Sequence, residues 1–455
     1  MQFHFPEGAV LHAVKIVRKV FSEIFQGIEV CKGIQMNSKQ KMKYPWIIFL
    51  LVTIMMTIGS ISLAFDPESV DIDTLKQMKA MPDEILVKFH SGVSEFDKQR
   101  VHNLLGAIKS RSGYGNFYHV VSVREGMVEE MISAYSEQPV VAYAEPNHFR
   151  FINFIPNDTY YSFQWHLDQI NMSDAWNKST GSGVTVAVVD TGISQAGEDG
   201  FGNRVFGGYN FVKENENFSD DNGHGTHVAG TIAQETDNGI GVAGIAYNAN
   251  LLGVKVLNKK GSGADSGVAD GIRWAADNGA QVINMSLGGD SSSQTLEDAV
   301  NYANERGVVI CAAAGNSGAD TIGYPARYDA CIAVGSVRYD KEKADYSQYG
   351  AGLDVVAPGG DTSVDQNQDG YGDGVVQETF TKKLFRMKWG YYYFQGTSMA
   401  TPHVSGLAAL IIGKYPAYTP DQVRNAIEST AEDLGLPGYD TTYGYGLINA
   451  SAALN

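Results

Sequence analysis

After Pro156 six apolar runs alternate with helical patterns, at 184–189, 251–257, 281–285, 308–313, 331–334 and 353–356. A run that is apolar on both faces of a strand leaves none for water. It belongs in a parallel sheet covered by helices on both sides. Helical patterns fall at 266–277, 294–305, 398–412 and 419–430. The last opens with Thr419-Pro420-Asp421-Gln422: a cap, a proline at the first position and a glutamine three residues on. There is no internal repeat, and no Ser/Gly-rich linker interrupts the pattern, so 156–455 reads as one α/β domain.

A smaller α/β unit precedes it. Strand-like runs at 84–89, 117–123 and 140–144 enclose helical patterns at 93–105 and 127–135. Further upstream, 44–65 holds 22 residues without a charge, with Lys39, Lys41 and Lys43 before it and Asp66 after it. A basic flank, an apolar run and then small residues form a secretory signal, with Ser62 and Ala64 allowing cleavage after Ala64. An uncleaved anchor is the alternative, because the run is long enough to span a bilayer. Either way the chain beyond Asp66 leaves the cytoplasm, so the protein is secreted or membrane-anchored facing outward. Met36 and Met42 are alternative starts. The expected division is 1–65 extension and signal, 66–155 small unit, and 156–455 main domain.

Composition removes other classes. The chain of 455 residues is 44% hydrophobic and 19% charged, which suits a large buried core. Its net charge of −17 argues against nucleic-acid binding, which needs a basic face. Residues 1–65 carry seven Lys/Arg against three Asp/Glu, so the acidity lies in the exported part and suggests solubility or bound cations. Three cysteines cannot staple a scaffold, and none form a CxxC zinc pair.

Three segments carry chemistry. Val188-Val189-Asp190-Thr191-Gly192 puts a carboxylate at the end of a buried strand. His224-Gly225-Thr226-His227-Val228-Ala229-Gly230 opens a helical pattern, and Gly396-Thr397-Ser398-Met399-Ala400-Thr401-Pro402 puts a serine at another helix start. Strand ends and helix starts are where open α/β sheets assemble sites. A serine hydroxyl attacks only when a base takes its proton. An imidazole can do so near neutral pH, and a buried carboxylate orients the ring. An α/β-hydrolase elbow would need glycine two residues after the serine, where Ala400 stands. His227 and His403 read as structural residues.

In the order Asp, His, Ser, the three segments resemble the subtilisin-like serine proteases, or subtilases. The resemblance implies a three-layer subtilisin-like fold, with Asp190 orienting, His224 as general acid/base and Ser398 as nucleophile. Ala312-Ala313-Ala314-Gly315-Asn316-Ser317-Gly318 resembles the family's oxyanion loop, which implies that Asn316 supplies a side-chain donor. Ser286, Leu287 and Gly288, with Ala313 and Gly315, resemble the two walls of its substrate cleft, whose Gly-rich edges let a peptide backbone come close. No charge marks the specificity pocket, so broad apolar or aromatic preference is expected. The unit at 83–148 resembles the ferredoxin-like inhibitor propeptide of secreted subtilases. Val141-Ala142-Tyr143-Ala144-Glu145-Pro146-Asn147 resembles its tail, with self-cleavage expected between 147 and 157. These features imply a monomeric secreted endopeptidase acting on polypeptides and made as a zymogen. The alternative is a catalytically silent binding or surface protein.

Calcium is the expected cofactor. Asp365, Asn367, Asp369 and Asp373 stand at loop positions 1, 3, 5 and 9, with Gly370 at 6 and Tyr371 at 7. Position 12 is Val376, for which Glu378 would substitute. A second site follows from the resemblance: Asn238, Ile240 and Val242 match the family's calcium loop, which is one residue longer here. Asp199 and Asp158 match further ligands. Cys311 and Cys331 lie on runs expected to be neighbours and read as small buried hydrophobes, although export would permit a disulfide.

Overall fold

The computed structural model describes residues 70, 74–75, 78–150, 154–383 and 386–455. The apolar run at 44–65 and the alternative starts lie outside the described residues. The chain divides into two compact units, 1–149 and 150–455.

The first unit is a four-stranded antiparallel sheet in the order β2-β3-β1-β4 with two helices. Its elements are β1 (Ala80–Phe89), α1 (Glu95–Leu104), β2 (Lys109–Ser112), β3 (His119–Ser122), α2 (Val128–Ser136) and β4 (Val141–His148). This βαββαβ order is the expected ferredoxin-like arrangement. Ile85, Val87 and Phe89 of β1 are buried and alternate with partly exposed neighbours, so one face of the sheet is covered. The helix α1 is capped by Ser94, whose hydroxyl accepts the amide of Asp97.

The second unit is built on a seven-stranded sheet in the order β11-β10-β9-β8-β5-β7-β6, every pairing parallel. The strands are β5 (Thr185–Asp190), β6 (Val205–Asn210), β7 (Asn250–Lys255), β8 (Val282–Met285), β9 (Val309–Ala313), β10 (Cys331–Val337) and β11 (Val355–Pro358). Every residue of β5, β8, β9, β10 and β11 is buried. Flanking helices are α3 (Trp165–Gln169), α4 (Met172–Ala175), α5 (His224–Ala233), α6 (Asp265–Asp277) and α7 (Gln294–Glu305). A long hairpin, β12 (Val375–Lys383) with β13 (Arg386–Phe394), leads into α8 (Thr397–Lys414), and α9 (Pro420–Glu428) and α10 (Ala450–Ala453) close the chain. The helix α8 is buried on nearly every side, as its Ala/Leu/Ile-rich sequence requires. The expected capping box is present: Gln422 N donates to Thr419 Oγ1 while Thr419 N donates to Gln422 Oε1.

Two elements differ from the sequence reading. The strand β6 carries Gly207 and Gly208, and a Cβ on Gly208 would lie 2.5 Å from the ring of Phe218, so the glycine makes room for an aromatic and dilutes the apolar signal. The segment 375–394, for which no element was expected, is a hairpin. Cys311 and Cys331 are buried and free, on adjacent strands.

Candidate active site

The sheet changes direction of growth at β5. From there the chain goes out to the edge strand β6, comes back through β7 and then crosses to β8 on the other side of β5. Such a switch point opens a crevice at the carboxyl ends of the strands. Asp190 ends β5 there, His224 begins α5, Ser286 follows β8, Asn316 follows β9 and Ser398 lies in the first turn of α8.

Asp190 is fully buried, and its two carboxylate oxygens lie 2.8 and 3.0 Å from His224 Nδ1. Thr191 N donates to Asp190 Oδ1 at 2.6 Å. Burial disfavours the imidazolium of His224, but the Asp190 carboxylate outweighs it and holds the ring's pKa above the ordinary 6.5. The loop before His224 is tied down by Asp220, which accepts the amides of Asn222, Gly223 and Thr226 and the Thr226 hydroxyl. Behind Thr191, the buried ammonium of Lys255 donates to Thr191 O, Leu257 O and Asp221 Oδ1. Sequence reasoning singled out neither Asp220 nor Lys255; neither lies in a motif.

Ser398 Oγ donates to Ser286 O at 3.2 Å, and Ser286 Oγ donates to Ser398 O at 2.8 Å. The second bond has a cause in the helix. Pro402 lacks the N–H that would claim the carbonyl four residues back, which is that of Ser398. The nucleophile candidate is thus cross-linked to one wall of the cleft. Asn316 Oδ1 accepts both Thr397 N (2.8 Å) and Thr397 Oγ1 (3.0 Å), which leaves its Nδ2 hydrogens for another partner.

His224, Ser398, Ser286, Leu287 and Gly288 line one open cavity of about 500 Å³, floored by Leu257, Val268 and Leu296. Leu287, Gly288, Ala313, Gly315, Asn316 and Ser398 line an adjoining one of about 260 Å³. All the sequence-predicted cleft residues therefore meet at Ser398. His227 and His403 hold structural bonds: His227 Nε2 to Val375 O and Tyr392 O, and His403 Nδ1 to Met399 O, with His403 Nε2 2.8 Å from His166 Nδ1.

The expected calcium residues fall in two groups. Asp199 Oδ2 accepts Val242 N, Asn238 Nδ2 donates to Asp199 Oδ1, and Ile240 N donates to Asn238 Oδ1. Asp158 Oδ2 accepts Asp237 N, while its buried Oδ1 has no partner. Burial pushes the carboxyl of Asp199 up to about 7. In the second group Asp365 accepts Asp369 N and Gly370 N, and Asp369 Oδ1 accepts Tyr371 N. Asn367 Oδ1 accepts Asp369 N, and Asp373 is buried with Oδ1 unpartnered. Orphaned buried carboxylate oxygens and hard oxygen donors fit a calcium ion. Among the described residues no three carboxylate, imidazole or thiol groups converge to hold a metal, so amide and backbone oxygens would complete either shell. Glu378 does not join the second group: it accepts Glu198 N and Asp199 N instead, because β12 carries it toward that loop.

The fold and site define a subtilisin-like serine protease. The Subtilase family matches residues 181–446 and the Fervidolysin N-terminal prodomain matches 67–147. The chain belongs to the subtilase family. It is 43% identical over 339 residues to alkaline elastase YaB of Bacillus sp. (strain YaB), covering 74% of this chain and 80% of that protein. It is 46% identical over 293 residues to subtilisin Savinase of Lederbergia lenta, covering 64% and 98%. A solved protease of Pseudoalteromonas arctica PAMC 21717 matches with TM-score 0.60 and 37% identity, covering 66% of this chain and 98% of that one. The protein is a serine endopeptidase of this family with an N-terminal prodomain.

Proposed function

We propose that Asp190, His224 and Ser398 cleave peptide bonds through an acyl-enzyme. Ser398 Oγ turns from Ser286 O to His224, which takes its proton as the hydroxyl attacks the scissile carbonyl. Asp190 holds the Nδ1 tautomer and stabilises the imidazolium. The oxyanion is met by Asn316 Nδ2 and by the amide at the start of α8. His224 then gives its proton to the leaving amine, and water releases the acyl group by the reverse steps. Substrate backbone lies along Ser286, Leu287 and Gly288 on one side and Ala313 and Gly315 on the other. What supports this reading most is the pair of short Asp190–His224 contacts in the cavity that Ser398 lines.

The rest of the reading completes a secreted zymogen. Residues 1–65 direct export, 66–155 act as the prodomain inhibitor, and 156–455 form the monomeric catalytic domain. Calcium at Asp158, Asp199, Asn238, Ile240 and Val242, and at Asp365, Asn367, Asp369, Tyr371 and Asp373, would neutralise clustered carboxylates and stiffen the loops. The test of the chemistry is a fluorophosphonate probe followed by peptide mapping. Label on Ser398, abolished by His224→Ala, is expected; a folded processed enzyme that takes no label would reduce the chain to a silent binding protein.

A further inference from the structure

The β12–β13 hairpin contributes no residue to the chemistry above, yet its bonds converge on the first turn of α5. Thr379, fully buried on β12, donates through Oγ1 to Gly223 O at 2.5 Å. That carbonyl also accepts His227 N at 3.2 Å, the bond that opens the ladder of α5. His227 shares its Nε2–H between Val375 O (3.0 Å) and Tyr392 O (3.1 Å), and its ring stacks on Phe394 at 4.3 Å and 8°. Gly223 has φ 109°, and a Cβ there would lie 2.5 Å from Phe380 O. Only glycine lets the hairpin backbone come so close, and the hairpin adds its bonds to those by which Asp220 holds the turn before His224.

The same hairpin ends at Phe394, four residues before Ser398. One element therefore fixes the approach to the base and the approach to the nucleophile. We propose that the hairpin is a brace for the general base, with Thr379 and Phe394 as positioning residues that hold the first turn of α5 and so keep His224 seated on Asp190. The inference rests on His224 being the base. Small displacements of a catalytic group are expensive, since productive geometry is held to about 0.5 Å.

The test is Thr379→Val, which keeps shape and loses the hydroxyl, beside Thr379→Ser, which keeps the hydroxyl. Rates are taken per active site on processed enzyme, so that misfolded protein does not count. The charged and titratable groups around His224 are Asp190, Asp220 and His227, and all remain in both variants. Thr379→Val should lower kcat about tenfold with KM within about twofold, and Thr379→Ser should recover most of it. The acidic limb of kcat/KM should move to lower pH in the Val variant, because a looser Asp190 contact supports the imidazolium less. If Thr379→Val folds poorly, Phe394→Leu carries the same expectation. Unchanged kcat and an unmoved limb in a folded variant, with His224→Ala inactive, would overturn the brace alone. Activity retained in His224→Ala would overturn the base assignment and the brace with it.

Discussion

The two larger sheets of this protein bury apolar cores of very different size. The first unit covers one sheet face, and among the described residues its core cluster holds eight buried apolar residues. Beside that core lie His102 and His119, 2.8 Å apart through Nε2 and Nδ1, with Tyr135 Oη 2.8 Å from His102 Nδ1. The second unit buries five strands at every position and a central helix on nearly every side. Two histidines in contact must not both be charged, and the second unit buries such a pair too, His166 and His403, but within a far larger apolar core. The contrast suits the proposed zymogen, in which the prodomain would be lost and the catalytic unit would persist.

The largest expected effect separates chemistry from that durability. Asn316→Leu should cost about 100- to 1000-fold in kcat, the size known for such a donor in subtilisin itself, with KM little changed. Thermal melting of the same variant should stay close to the parent. A loss confined to KM would reassign Asn316 to substrate binding.

Calcium sharpens the comparison next, because both candidate loops lie in the second unit. A cation that binds only the folded state at about 100 times its Kd adds roughly 2.7 kcal/mol. Chelation should therefore lower the second unit's melting midpoint by several degrees and leave the first unit's unchanged. Melting Ser398→Ala protein avoids self-digestion, and an unchanged midpoint would remove calcium from the account.

Acid should act on both units, by a somewhat smaller amount, because the second also holds a histidine pair, His166 and His403, that burial keeps neutral. The first, with the smaller core, should yield first. Burial and the neighbouring His119 hold His102 down to about 4, and burial lowers His119 as well. Both favour the neutral form when folded, so their contribution is complete above the unfolded value near 6.5 and is lost as pH falls below it. At pH 5 the loss is on the order of 2 kcal/mol for a histidine kept neutral. Hydrogen exchange of the full Ser398→Ala chain should show β1 and β3 opening before β5 and β8. Equal protection across both sheets from pH 7 to 5 would break the contrast.

The sequence carried the core and the site well because each lay in a strong local pattern. Asp190, His224, Asn316 and Ser398 stood at ends of apolar runs or starts of helical ones, and the structure gathers them at those ends. The hairpin escaped because Gln377, Glu378 and Thr379 are polar and break any apolar run that would mark a strand there. They are buried, and Glu378 and Thr379 bond to backbone far away in sequence. The partner of His403 was invisible for the same reason: His166 lies 237 residues away. The edge strand β2, largely polar and exposed, offered no alternation to read.

The central claim is that this chain cuts itself with Ser398 to part the prodomain from the catalytic unit. Mass spectrometry of wild-type and Ser398→Ala protein made in a protease-free host tests it directly. The wild type should yield a mature fragment beginning between residues 147 and 157, while Ser398→Ala keeps both units in one chain. Matching cleavage of the Ser398→Ala protein at that junction would contradict the account.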